Sequence, residues 1–391
     1  MKKTLKEIIG KPLTGVWGNE DTDGTGIFVL RTTNFTLDGI VNYEDVVRRN
    51  IPNKGIDEKY LQKGDIIIEK SGGSEKQPVG RVVYFDGEEK TFLFNNFTSV
   101  LRIVEKKDWY SKYVFYALYY NYLQGGTRFY QNKTTGLHNL KLTDYIQNFQ
   151  IEKKKFGIQE KIVEVLDNLR KIIALQKEQL KKLDELVKSM FIEMFGNPIL
   201  NNLNWEVKLL NEISNGIGDG LHGTPIYEGN GECFFINGNN LNEGKITITE
   251  KTKKVGNSEY EKNKIELDKN TILLSINGSL GKIAFYNKEK IMLGKSTCYC
   301  KLKEKINKFF IYGLMQSTFF QNYLEECATK STIKNVSLKS IREFKVICPP
   351  LDLQNQFAER VRRIDKSKFE IKQSLEKLEI LYKSLMQEYF G

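Results

Sequence analysis

The chain has 391 residues, 40% of them hydrophobic and 28% charged, which suits two or three globular domains and excludes a disordered chain. No stretch approaches 18 consecutive apolar residues, so no membrane-spanning helix is expected, and the lysine-led start MKKTLKEIIGKPL lacks the apolar run of a secretory signal. The formal net charge is +11, and two windows hold all of it: residues 101–155 carry ten Lys/Arg against four Asp/Glu, and residues 301–350 carry nine against four. Two separated basic blocks point to two places that meet a polyanion.

In chain order, residues 1–150 read as strand-rich. DIIIEKS, GRVVYF and KTFLFNNFTSVLRIV are β-branched and aromatic runs, parted by turns such as DGEEK. An amphipathic helical patch, KDWYSKYVFYALYYNYL (107–123), follows, and then the polar loop GGTRFYQNKTTGLHN. That loop lies in the first basic window, so Arg128 and Lys133 are candidates for phosphate or base edges, with His138 beside them. The glycine-rich stretch SGGSEKQPVG (71–80) lacks GxGxxG spacing and reads as a flexible turn between strands.

Next comes a long helix. Positions 162, 166, 169, 173, 176, 180, 183, 187, 190 and 194 alternate steps of four and three, and only Gln176 among them is polar. Leu166, Leu169, Leu180 and Leu183 lie on this seam, whose heptad spacing predicts a coiled coil. Residues 198–350 return to strand-rich character with ECFFIN, KITITE and TILLSI, and then repeat the order of the first half. A helical patch (308–326) precedes the basic loop CATKSTIKN, whose Lys330 and Lys334 are the matching candidates; His222 lies in the turn-forming GDGLHGTP (218–225). A second long helix closes the chain. Its seam runs 357, 361, 364, 368, 371, 375, 378, 382, 385, 389, includes Val361, Ile364, Leu375 and Leu378, and has Lys368 as its single polar break.

The two helices are copies of one another. Shifting the chain by 195 residues superimposes 156–196 on 351–391 without a gap, with 13 of 41 positions identical, among them Gln159 and Gln354. Upstream, LHNLKLTDYIQNFQI (137–151) aligns more loosely with IKNVSLKSIREFKVI (333–347). The chain is therefore a duplication, with domains expected at 1–152 and 198–350 and helices at 153–197 and 351–391. The expected fold is α+β: two mixed α/β domains separated by two long helices that pair as an antiparallel coiled coil, related by an internal pseudo-two-fold repeat.

No catalytic constellation emerges from the residues. GKST (294–297) resembles the end of a phosphate-binding loop, but Glu289 stands where that motif needs glycine. CPPLD (348–352) only superficially resembles a methyltransferase tetrapeptide; prolines there stop a strand before a helix. His138 and His222 have no partnered nucleophile, and no carboxylate cluster suggests a nuclease metal. The five cysteines, all in the second half, are an odd number and fit reduced thiols in a cytoplasm, while Cys298 and Cys300 have the wrong spacing for zinc.

With this order of elements, the chain resembles the specificity subunits of type I restriction–modification systems over essentially its whole length. The resemblance rests on MFGNP (194–198) followed by WEVKLLNEI at Trp205, GDGLHGTPIYEGNGECFFINGNNLNEGKI (218–246), KSGGSEKQPVGRVVYF (70–85) and PPLDLQNQF (349–357). One departure is clear: KKKFGIQ (153–159) keeps Gln159 but has lost both prolines, and the first domain has no counterpart of Trp205. The resemblance implies a DNA reader without chemistry of its own. Each target-recognition domain would read one half of a split sequence in double-stranded DNA. The helices would set the gap and dock two methyltransferase subunits, and restriction subunits could join. No cofactor is expected in this chain; S-adenosylmethionine belongs to the methyltransferase. Two alternatives remain at this stage: a stand-alone sequence-specific DNA-binding regulator, which would bind tightly without a methyltransferase, and a coiled-coil scaffold, which would show no salt-dependent DNA binding.

Overall fold

The computed structural model describes every residue except 53–54 and 135–136; the side chains of Lys133 and Thr134 also lie outside the description. Its helices are α1 (Leu5–Ile9), α2 (Ser111–Leu123), α3 (Leu142–Asn148), α4 (Phe156–Phe195), α5 (Asn257–Asn263), α6 (Lys308–Gln316), α7 (Thr318–Cys327), α8 (Leu338–Glu343) and α9 (Leu351–Phe390). The chain forms two compact units: Met1–Leu175 with Ser374–Gly391, and Gln176–Gln373. Each unit thus combines one strand-rich half with a portion of both long helices.

In the first unit, four antiparallel strands run in the order Leu13–Thr14, Thr98–Leu101, Ile66–Glu69, Val82–Tyr84. A second sheet orders Asn19–Glu20, Val47–Asn50, Ile27–Leu30 and Phe92–Phe94, with the last pair parallel. The run KTFLFNNFTSVLRIV splits at Asn95–Phe97 and feeds two different sheets. Lys2–Thr4 pairs with Gln150–Glu152, which returns the end of this half to its beginning just before α4.

Helix α2 differs from the amphipathic helix expected of it. Every residue from Tyr113 to Tyr119 is buried, so it is apolar on all sides. The reason is that it is enclosed: Phe115 meets Tyr84 of the sheet at 5.7 Å between centroids, and Tyr113 meets Phe390 of α9 at 5.2 Å. Its polar groups are satisfied on α4, where Asp167 accepts from Lys112 Nζ and Tyr116 Oη, both at 2.6 Å. Burial of the Tyr116 phenol raises its pKa far above the ordinary value.

The second unit repeats the plan. Ser214–Asp219, Thr297–Leu302, Thr271–Ser275 and Ile283–Phe285 form the antiparallel sheet, and Lys254–Val255, Cys233–Ile236 and Ile291–Leu293 the smaller mixed one. Glu206–Leu209 pairs with Lys345–Cys348 ahead of α9. The helical patch at 308–326 breaks into α6 and α7 because Ser317 is extended and caps α7, accepting from Phe320 N. GKST simply joins two strands.

The helix seams behave as their spacing predicts. All twenty seam positions are buried or half-buried. Leu166, Leu169 and Val361 are buried; Leu180, Leu183, Ile364, Leu375 and Leu378 are half-buried, since one partner helix covers only one side. In the second unit the helix segments run antiparallel: Asp184 meets Lys368 at 2.5 Å, whereas Phe191, two turns further along α4, meets Phe357, three turns earlier in α9. The polar break at Lys368 is thereby explained, because Asp184 takes its ammonium. In the first unit Ile162 and Leu166 of α4 share one core with Tyr382, Met386 and Phe390 of α9.

Candidate nucleic-acid interface

Each half ends its sheet-bearing domain with a basic loop, and the structure shows what holds each loop. In the first unit, Gln131–Thr134 and Leu137–Leu140 form a hairpin with Lys133 opposite His138. The hairpin adds to Ser71–Gly73 through His138 opposite Gly73 and Asn139 opposite Ser71. Ser71 Oγ lies 2.5 Å from Asn139 Oδ1, and the His138 ring Nδ1 lies 3.1 Å from Gln131 Oε1. The backbone of Lys133 is therefore fixed, while its side chain lies outside the described residues.

SGGSEKQPVG is not a free turn, contrary to the expectation from composition. A Cβ on Gly73 would sit 2.4 Å from the Val79 nitrogen, and one on Gly80, at φ +106°, would sit 2.7 Å from Thr127. The glycines are needed because the loop closes on itself and on the turn Gly126–Tyr130. Thr127 is fully buried there, which leaves Arg128 exposed and Phe129 89% exposed. Phe129 was missed in the sequence; its signal is an aromatic beside an arginine in a glycine-led polar loop.

The second unit builds the same junction with less regular backbone. Asn277 bridges Asn335, Gly278 N donates to Lys334 O at 2.9 Å, and Thr329 N donates to Asn335 O at 3.0 Å. Lys330 is exposed, and Lys334 forms an ion pair with Glu325 that reduces its free charge. His222 is exposed in its own loop, with Nε2 2.8 Å from Asp219 Oδ2. Thus Arg128, Lys133 and His138 share one junction, Lys330 and Lys334 share the other, and His222 belongs to a separate loop.

What anchors each strand-rich half to its long helix is a glutamine. Gln159 is fully buried: Oε1 accepts from Tyr110 N at 2.9 Å, and Nε2 donates to Asp108 O and Lys154 O at 2.8 Å each. Gln354 repeats this, accepting from Asn307 N at 2.9 Å and donating to Pro349 O at 2.8 Å. The lost prolines therefore leave the joint intact, because the glutamine bonds the carbonyl of whatever residue stands there. At the other junction, Trp205 Nε1 donates to Phe195 O at 2.9 Å, capping α4, while Gly196 turns the chain at φ +75°.

Among the described residues no group of His, Cys, Asp or Glu could hold a metal ion, and no helix is long and apolar enough to cross a membrane. Two like-built domains, each presenting a differently decorated basic loop, make a duplicated protein with two candidate polyanion-binding surfaces. The chain belongs to the family of the type I restriction modification DNA specificity domain, whose model matches it twice, over residues 20–185 and 202–380. It is 20% identical over 388 residues to a putative type I restriction enzyme MjaX specificity subunit from Methanocaldococcus jannaschii, covering 93% of this chain and 86% of that one. Among solved structures it is similar to a type I restriction–modification S subunit from M. genitalium, with 17% identity, TM-score 0.58, and 100% and 96% of the two chains covered. A chain solved to explain complex assembly and conformational transition of the type I R-M system gives 14% identity and TM-score 0.56 over 100% and 97%.

Proposed function

We propose that this chain is the sequence-reading subunit of a type I restriction–modification complex, each unit reading one half of a split sequence in duplex DNA. The observation that carries the reading is the repeated junction: one backbone arrangement, different side chains, in two units of a family of DNA specificity domains. Base readout depends on individual side chains, so unlike junctions mean unlike half-sites.

Two methyltransferase subunits, carrying S-adenosylmethionine, dock on the long helices, in an assembly that restriction subunits can join. Apolar residues left exposed on those helices support docking there: Ile158, Val165 and Ile172 at heptad spacing in the first unit, Leu186 and Ile192 in the second. Five unpaired thiols suit a reducing cytoplasm.

The test is reconstitution. The chain alone should neither methylate nor cleave DNA; with its methyltransferase subunit it should direct adenine methylation to one split sequence. Methyl transfer by the isolated chain, or tight specific binding that the methyltransferase does not alter, would overturn the reading in favour of a stand-alone enzyme or regulator. The gap has its own test. One heptad added to both helices in register adds about 10 Å and should open the gap by about three base pairs, leaving both half-sites unchanged.

A further inference from the structure

The first unit holds a second basic feature, separate from the exposed loop. A cleft of about 770 Å³ gathers Lys6 of α1, Lys11 after it, Lys70 at the end of a central strand and Lys141 at the start of α3, with Asp144 as the only acid in its lining. Three segments distant in sequence thus bring four lysines to one cleft. None of the four forms an ion pair with an acid among the described residues. Lys70 is half-buried, and burial holds its pKa below the ordinary lysine value.

The second unit lacks this cleft chemistry at equivalent positions. Leu5 N donates to Phe149 O and Leu210 N to Phe344 O, both at 2.8 Å, which equates Lys6 with Asn211. Leu140 N donates to Lys70 O at 2.8 Å and Val336 N to Ile276 O at 2.9 Å, which equates Lys70 with Ile276 and Lys141 with Ser337. The fold does not need lysine at these three places.

We infer that the cleft lined by Lys6, Lys11, Lys70 and Lys141 seats backbone phosphates of the DNA strand that the first unit reads, an anchor the second unit does not possess. This rests on the DNA-reading function proposed above. Four lysines around one cleft present clustered point charges without a guanidinium's planar fork, which suits phosphates, and phosphate contacts fix register without carrying sequence information. The lining contains no aromatic side chain, which argues against a nucleotide whose base must stack. Asn132 of the reading hairpin also lines the cleft, so a strand lying along it continues to the hairpin.

The experiment compares the wild-type complex, assembled with its methyltransferase, with one carrying Lys70→Met and Lys141→Ser, the second unit's chemistry in the first. Binding to duplex DNA containing the methylated split sequence is titrated at several salt concentrations. The slope of log affinity against log salt should become shallower by about two, while the methylated sequence stays the same. Lys70→Arg with Lys141→Arg should keep the wild-type slope. An unchanged slope in the Met/Ser variant overturns the phosphate seat and leaves the DNA-reading function standing. A changed target sequence also overturns it, since the cleft would then read bases. Loss of binding in the Arg variant with an unaltered melting temperature overturns it as well. If the wild-type complex shows no salt-dependent specific binding, the functional reading falls and the seat with it.

Discussion

The two units solve the same structural problem with different chemistry. At the end of the central strand the first unit buries Glu69, whose carboxylate takes Arg81 Nε at 2.9 Å; the second has Ser275 there, donating to Ser279 O at 2.5 Å. The backbone is the same, since Glu69 N donates to Arg81 O and Ser275 N to Lys282 O, both at 2.8 Å. Likewise Asp65, buried and held by Arg102 at 2.7 Å, occupies the position that Thr271 fills in the second unit with a bond to Asp268; Asp65 N donates to Gln62 O and Thr271 N to Asp268 O, both at 3.0 Å. Two copies thus diverged in side chains while keeping their hydrogen-bond scaffold, which is what independent tuning of two half-site readers requires.

The sharpest way to break the comparison is at the buried ion pair. Arg81→Ala should destabilise the first unit by about 3–5 kcal/mol, because Glu69 is left buried and unpaired. Ser275→Ala should cost the second unit only about 1 kcal/mol. Denaturant unfolding checks both; equal losses would mean that the two solutions are energetically alike after all. The glutamine joints should instead behave as twins. Gln159→Ala and Gln354→Ala each leave a half-buried backbone N–H, of Tyr110 and Asn307, without its acceptor and should each cost about 1–3 kcal/mol. Hydrogen exchange at those two amides reads the loss directly.

In DNA binding, Arg128→Ala should weaken the complex by about 1–3 kcal/mol at one base of the first half-site if the guanidinium reads a base edge. Lys330→Ala should act likewise at the second half-site, and Lys334→Ala less, because Glu325 already holds that lysine. Binding profiles with randomised half-sites measure this. Unaltered profiles and salt slopes in all three would remove these loops from the DNA surface. The smallest effect belongs to the seam: Lys368→Met should change stability by under about 1 kcal/mol, since its partner Asp184 is half exposed. A thermal melt suffices.

How much of this was legible beforehand depends on the range of the signal. Both helices followed from local periodicity, because a heptad seam must repeat wherever a helix meets a partner, and the duplication followed from the 195-residue shift that superimposes one on the other. The basic loops were legible as charge windows, but Phe129 was not, and neither was the reason for the glycines at 73 and 80. At Gly73 the reason is that the loop folds back onto Val79, and at Gly80 it is close approach to Thr127, about fifty residues away and outside any local window. The same limit explains why α2 looked amphipathic: tyrosine counts as partly polar, and only its enclosure by sheet, α4 and α9 makes every side of it interior.

By itself the sequence determined the repeat, the two seams with their polar breaks, the strand-rich halves and the two basic loops, all set by spacing and composition along the chain. Tertiary structure alone decided that Gln159 and Gln354 are the joints, that Asp184 answers Lys368, and that Lys6, Lys11, Lys70 and Lys141 share one cleft. The physical reason is common to all three. Burial, pairing and charge convergence depend on which segments meet in space, and those meetings are fixed by hydrogen bonds and packing between residues that the linear order keeps apart.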